Sequence, residues 1–241
     1  MPTFSLRFLR RAAWAVALAA LAPAALAQNK SMPACPEFPV PEAGQVKWVA
    51  PDMTFNGVPL QVKELASRES PRQVLEFYKR NWGKAQPYFH EYQVEGWEAA
   101  IATLRKHCFY TVQLKSDGRG GAYGLLSVSA RPGNGSLKTP GAGFALAPGS
   151  RVINDIDHYD GGKNGRTLLI LSNLATETNA DFYRRALVDA GWAAILDQAV
   201  DTAKGASRVM VLKRGRHETH LSITPYGGAG SSVLVTVVDK P

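Results

Sequence analysis

Two short strings in this chain have the composition of metal sites, and neither has the spacing. His217-Glu218-Thr219-His220 sets two imidazoles three residues apart with a carboxylate between them. The zinc-protease helix needs its histidines four apart, on one helical face. The residues around this string alternate as a strand does, and an odd separation on a strand sends the two rings to opposite faces. Asp155, Asp157 and Asp160-Gly161, followed by Asn164-Gly165, have the oxygen-rich look of a calcium loop. An EF-hand loop wants oxygen ligands at alternate positions and a closing glutamate. Here Tyr159 falls at the fifth place and Arg166 at the twelfth. The chain also lacks a Gly-x-Ser-x-Gly elbow, a phosphate-binding glycine loop and a dinucleotide fingerprint. No catalytic residue, metal or cofactor is assigned, and the expectation is a protein without enzymatic activity.

Cys35 and Cys108 are the two cysteines, and neither belongs to a Cys-x-x-Cys pair. In an oxidising compartment an isolated pair reads as one disulfide. That bridge would close a loop of about 73 residues and contribute about 4 kcal/mol through chain entropy. It would pin a segment rich in proline (Pro33, Pro36, Pro39, Pro41) onto the first domain. The stretch from Trp82 to Tyr123 is dense in aromatic rings. Most such rings fill core volume. From this set Trp82, Tyr88, Tyr92, Trp97 and Tyr110 form the candidate binding surface, a platform for glycan, peptide or a partner protein.

The amino terminus supplies the compartment. Arg7, Arg10 and Arg11 precede an apolar run from Ala12 to Leu21, Pro23 breaks it, and Ala25-Leu26-Ala27 is a small-x-small cleavage pattern. Residues 1–27 therefore read as a signal peptide, and the protein as periplasmic or secreted. A run this short falls below the about 20 residues a spanning helix needs, so no stable membrane span is expected after cleavage. The full chain carries 28 basic and 20 acidic residues. Losing the leader removes three arginines and no acid, which leaves an excess of about +5, spread along the chain. Nucleic acid is not an expected partner, because no cluster of Lys and Arg interleaved with aromatics occurs.

The elements that must position these residues come in two sets. Phe77-Tyr78-Lys79-Arg80 recurs as Phe182-Tyr183-Arg184-Arg185, 105 residues on. Leu65-Ala66-Ser67 aligns with Ile170-Leu171-Ser172 at the same offset, and Phe55-Asn56-Gly57 echoes Tyr159-Asp160-Gly161 with a one-residue slip. Such self-similarity marks an internal repeat. Each copy opens at an Asn-Gly or Asp-Gly hairpin turn, continues into a strand (Pro59 to Leu65, Arg166 to Leu171), and then a helix. Ser70, Pro71 and Gln73 make a capping box with proline at the first helical position, and Val74, Tyr78 and Trp82 recur at helical spacing. The second helix is expected over Thr178 to Ala190, capped by Thr178, with Gly191-Trp192 as its Schellman ending. Its pattern Phe-Tyr-x-x-x-Leu-x-x-x-Gly-Trp resembles one that recurs in exported bacterial domains, over a dozen residues and with no activity implied. About four β-rich segments follow each helix, the last two joined by glycine-rich turns, which gives a hairpin meander.

The expected class is α+β: two tandem homologous domains, each a strand-helix-then-antiparallel-meander unit with one helix packed on its own antiparallel sheet. The divisions are a signal peptide (1–27), a proline-rich segment (28–46), a first repeat (47–130), a Gly/Pro-rich linker (131–150) and a second repeat (151–241). A flexible linker of that length reaches about 25 Å. The expected role is an exported binding or envelope-assembly accessory protein, its partner an envelope protein. A module for peptidoglycan or another cell-wall glycan is the first alternative, and an enzyme with a site at the domain junction the second.

Overall fold

A computed structural model describes residues 35–83, 90–130, 137–160 and 162–239. The expected signal peptide, Tyr88 and residues 131–136 lie outside these. The chain enters through a hairpin, β1 (Gly44–Phe55) and β2 (Val58–Ser67), closed by Asn56 and Gly57, both at positive φ. That conformation is the type I′ turn Asn-Gly favours. Helix α1 (Pro71–Trp82) follows, then the meander β3 (His90–Val94), β4 (Trp97–Arg105), β5 (Cys108–Ser116) and β6 (Ala122–Ala130). The second half runs the same course: β7 (Arg151–Asp160), β8 (Lys163–Ser172), α2 (Thr176–Asp189), β9 (Ala193–Thr202), β10 (Gly205–Arg214), β11 (His217–Tyr226) and β12 (Gly230–Asp239).

All twelve strands form one antiparallel sheet in the order β3-β4-β5-β6-β2-β1-β7-β8-β12-β11-β10-β9. This corrects the expected α+β class with a separate sheet for each domain. Strand makes up 59 % of the described structure, and the two helices span only 12 and 14 residues. The cause lies in β1 and β7, the two strands the sequence pattern does not announce. Pro51-Asp52 interrupts β1, whose register against β2 shifts on both sides of Ala50, and a further shift falls between Val152 and Asn154 in β7. Proline lacks the ladder donor and bulged residues break alternation, so neither segment reads as a strand. Both lie at the inner edge of their half. Met53, Thr54 and Phe55 pair with His158, Asp157 and Ile156, and those three rungs make two sheets into one.

The ladders also fix which face is which. Thr54 lies opposite Pro59, on the side of β2 that carries Leu65, and opposite Asp157, which faces Arg166 on the side of β8 that carries Leu168 and Ile170. Leu65 packs under α1, and Leu168 and Ile170 pack under α2. Since side chains alternate between faces, both helices cover the same side of the sheet.

Each helix seals its own core. Tyr78 of α1 packs down on Leu65, Ile101, Val112, Leu114 and Leu126; Tyr183 of α2 packs down on Leu168, Ile170, Met210, Leu212 and Leu221. Tyr78 and Tyr183, from the repeated string, are fully buried. Burial pushes both phenols up, Tyr183 to about 12. A shared glycine requirement marks the same corner of each half. A Cβ on Gly121 would stand 2.4 Å from the Ser67 carbonyl oxygen, and one on Gly230 2.5 Å from that of Ser172.

The Ser70 hydroxyl accepts from the Gln73 amide N–H, and the Gln73 side chain accepts from the Ser70 amide. Ser70→Ala is expected to lower stability by about 1 kcal/mol, the usual cost of a lost N-cap, measured by urea unfolding. An unchanged midpoint would exclude a role for the box. Helix α2 differs from expectation. It starts at Thr176 after Ala175, whose methyl group offers no acceptor to the first turn, and Thr176 and Asn179 face inward and are buried. Its end is a Schellman motif: Trp192 N–H donates to the Leu187 carbonyl and Gly191 N–H to that of Val188.

Residues 137–150 lie across the helix side of the three-rung seam. Gly141 N–H donates to the Asp155 carboxylate, Lys138 Nζ sits 2.8 Å from Asp157, and Phe144 meets the Tyr183 ring at 5.8 Å. Asp155 is 2 % exposed and receives both Nε and Nη2 of Arg166. Asn56 completes the joint, its amide donating to the Asp155 carbonyl while its side-chain oxygen accepts from the Asp155 amide. The described residues form one compact unit.

Candidate functional site

The five candidate aromatic residues separate by face. Trp82 and Tyr110 are 3 % and 2 % exposed, on the helix side. Phe38 packs against both, with ring centroids 6.4 and 5.2 Å away. Cys35 and Cys108 form the expected disulfide, which holds this proline-rich segment down, and Tyr110 Oη donates to the Pro36 carbonyl at 2.7 Å. Trp82 and Tyr110 therefore serve the core and offer no ring to a ligand. Tyr88 lies outside the described residues. Tyr92 and Trp97 are half-buried.

On the side away from the helices, neighbouring rungs bring a different set together. Tyr92 lies opposite Ala100, Ala100 opposite Gln113, and Gln113 opposite Leu125. Tyr92 bonds to the Gln113 side chain; burial pushes its phenol up and that bond draws it partway back. On the next row Lys115 lies opposite Tyr123. The Tyr123 ring stacks on Trp97, centroids 6.2 Å apart and planes 19° from parallel. Lys115 Nζ stands 5.4 Å from the Trp97 centroid and 5.5 Å from that of Tyr123. Cations at that range gain from the negative ring face. Next to them, Glu98 Oε1 accepts from the Ser116 amide.

This cluster belongs to the first half alone. In the second half, the rung Gln198–Val209–Ser222–Leu234 takes the place of Tyr92–Ala100–Gln113–Leu125, and Thr224 and Ser232 stand where Lys115 and Tyr123 do. Sequence reasoning passed over Lys115, Gln113 and Tyr123 as site residues. The available signal was parity: Gln113 and Lys115 fall out of step with the buried Cys108, Tyr110, Val112 and Leu114 of β5.

The other candidate chemistries resolve into pairs. His217 and His220 part to opposite faces of β11, His217 meeting Asp239 at 3.4 Å and His220 meeting Glu218 at 2.6 Å. Asp155 and Asp157 are tied to Arg166, Lys138 and Thr54 at the seam. Burial alone would raise the Asp155 pKa, but Arg166 and the Gly141 N–H outweigh it and hold the carboxyl below its ordinary value. Among the described residues no three His, Cys, Asp or Glu side chains converge as a metal site, and no helix is long and apolar enough to cross a membrane. Comparison with family models, with curated proteins and with solved structures gave no match to this chain.

Proposed function

We propose that this chain is a non-catalytic binding module of the cell envelope or its exterior, and that its contact surface is the uncovered sheet face of the first half. One observation carries the reading: Trp97, Tyr123 and Lys115 gather on a face without a helix, in one half of a molecule whose other half has small polar residues there. Trp and Tyr are the anchors that dominate protein interfaces, and the Lys115 stem adds apolar area with a charge at its tip. A Cys35–Cys108 disulfide suits an oxidising compartment, in keeping with the leader read at residues 1–27. The favoured partner is an envelope protein.

The near-parallel Trp97 and Tyr123 rings favour a second reading, a cell-wall glycan laid against them with Gln113 at hand for hydroxyl groups. Crosslinking in the native envelope followed by mass spectrometry, beside a pull-down on purified peptidoglycan, separates the two. Trp97→Ala with Tyr123→Ala is expected to weaken capture of the true ligand roughly 30-fold, as loss of an anchor worth about 2 kcal/mol would. Unchanged capture by a correctly folded double variant would move the contact surface elsewhere.

A further inference from the structure

Among the described residues the sheet has two free edges, and they are unequal. β3 spans five residues, His90–Val94, and carries Glu91. β9 spans ten, and all but one of its residues are exposed. Ile195, Leu196 and Val200 are 60 %, 40 % and 39 % exposed, large apolar side chains without cover. Of the usual guards of an edge strand β9 lacks proline, lysine and short length, and it keeps a bulge at its start and one inward-turned carboxylate, Asp197. Its register shift lies at its start, between the rungs of Val211 and Leu212, so Leu196 to Thr202 run regular. The carboxylate of Asp197 turns to the helix side, where Arg184 and Arg208 hold it. Among the described residues, no strand meets the outward backbone donors and acceptors of this stretch.

We propose that β9 is a self-association edge: two copies of this chain join β9 to β9, antiparallel, about a two-fold axis through Gln198. The register follows from face and charge. A two-fold axis perpendicular to a sheet keeps each side chain on its own face, so opposed residues must share parity. Centring on Asp197 sets that residue against its own copy, and centring on Ala199 sets Asp197 against Asp201; like charges directly opposed destabilise a pair. Centring on Gln198 puts Asp197 against Ala199 and keeps the paired stretch, Leu196 to Val200, within the regular part of the strand. It also puts Leu196 against Val200 on the open face, beside Val209 and Val211 of β10, so each copy covers apolar surface the other leaves bare. The occupant that fits is thus a second copy, with the backbone supplying the bonds and the register the selectivity.

Both native cysteines are committed to one disulfide, which makes a single new thiol a clean probe. Directly opposed residues of an antiparallel pair have Cα atoms about 4.5–5.5 Å apart, within disulfide range. Gln198→Cys in the otherwise complete chain is expected to give a disulfide-linked dimer under mild oxidation, and Glu91→Cys on the other edge to stay monomeric. Sedimentation equilibrium up to about 200 µM, which reaches the weak dimers of small interfaces, should show a dimer for the unaltered chain. Gln198→Lys, which opposes two ammonium groups at the axis, should weaken it at least 10-fold while leaving the melting temperature of the monomer unchanged. A chain that stays monomeric over that range overturns the proposal. So does a dimer that ignores Gln198→Lys, or a Gln198→Cys variant whose new thiol crosslinks only to a different polypeptide, since the edge then serves another protein's strand.

Discussion

Serine at both Cys35 and Cys108 is expected to destabilise the chain by about 4 kcal/mol, the chain-entropy value for a bridge that spans 73 residues. The loss reaches beyond the unfolded state. Without the bridge, the segment carrying Phe38 is held to the first half by its packing on Trp82 and Tyr110, the Tyr110 bond to Pro36, and the exposed Lys63–Glu37 pair. Freeing it bares two large rings on the helix side. Urea unfolding of the double serine variant should show an earlier midpoint, and reduction of the native chain should reproduce it. Trp82 emission should shift to the red before the main transition. A variant within 1 kcal/mol of the native chain would mean that packing alone seats this segment.

Asp155→Ala should cost about 3 kcal/mol, because it removes both hydrogen bonds to the Arg166 guanidinium and leaves it only the longer contact with Asp157 at 3.8 Å. The Gly141 N–H also loses its acceptor, loosening residues 137–150 where they cross the three rungs. The same carboxylate gives the fold an acid limit. Its folded pKa lies below the unfolded value, so its contribution is complete above about pH 3.9 and is lost as pH falls through that value toward the folded pKa. Asp197, held by Arg184 and Arg208, follows the same sign. The stability of the native chain should therefore fall steeply below about pH 4, and Asp155→Ala should flatten that slope. An acid limb of equal steepness in the variant would place the limit at other carboxylates.

Local chemistry was well written in the sequence. Ser70-Pro71 with Gln73 announces a helix start, Gly191-Trp192 a helix end, and the lone cysteine pair a bridge, because each depends on a few neighbouring residues or on simple arithmetic. What joins the halves was not written locally. Pro51-Asp52 and the irregular Val152–Asn154 stretch disguise β1 and β7, and their pairing is settled by tertiary packing. Hidden strands at the inner edges turned two expected sheets into one. Among the aromatics, Tyr110 shares its parity with the buried Cys108, Val112 and Leu114, and Trp82 follows Tyr78 by one helical turn. Both spacings point inward, and ring chemistry alone had suggested a surface. Tyr123 and Lys115 sit at the opposite parity, but only the ladder between β5 and β6 sets them side by side.

The three-rung seam also has a place in time. All the residues of the first core, and both cysteines, precede β7 in the chain. A chain that emerges amino end first presents β6 before β7. The amino-terminal half can close its core and pair its cysteines in an oxidising compartment while Met53, Thr54 and Phe55 wait for partners not yet delivered. Union of the halves waits for β7, and a stalled carboxy-terminal half leaves those three residues open to a strand from elsewhere.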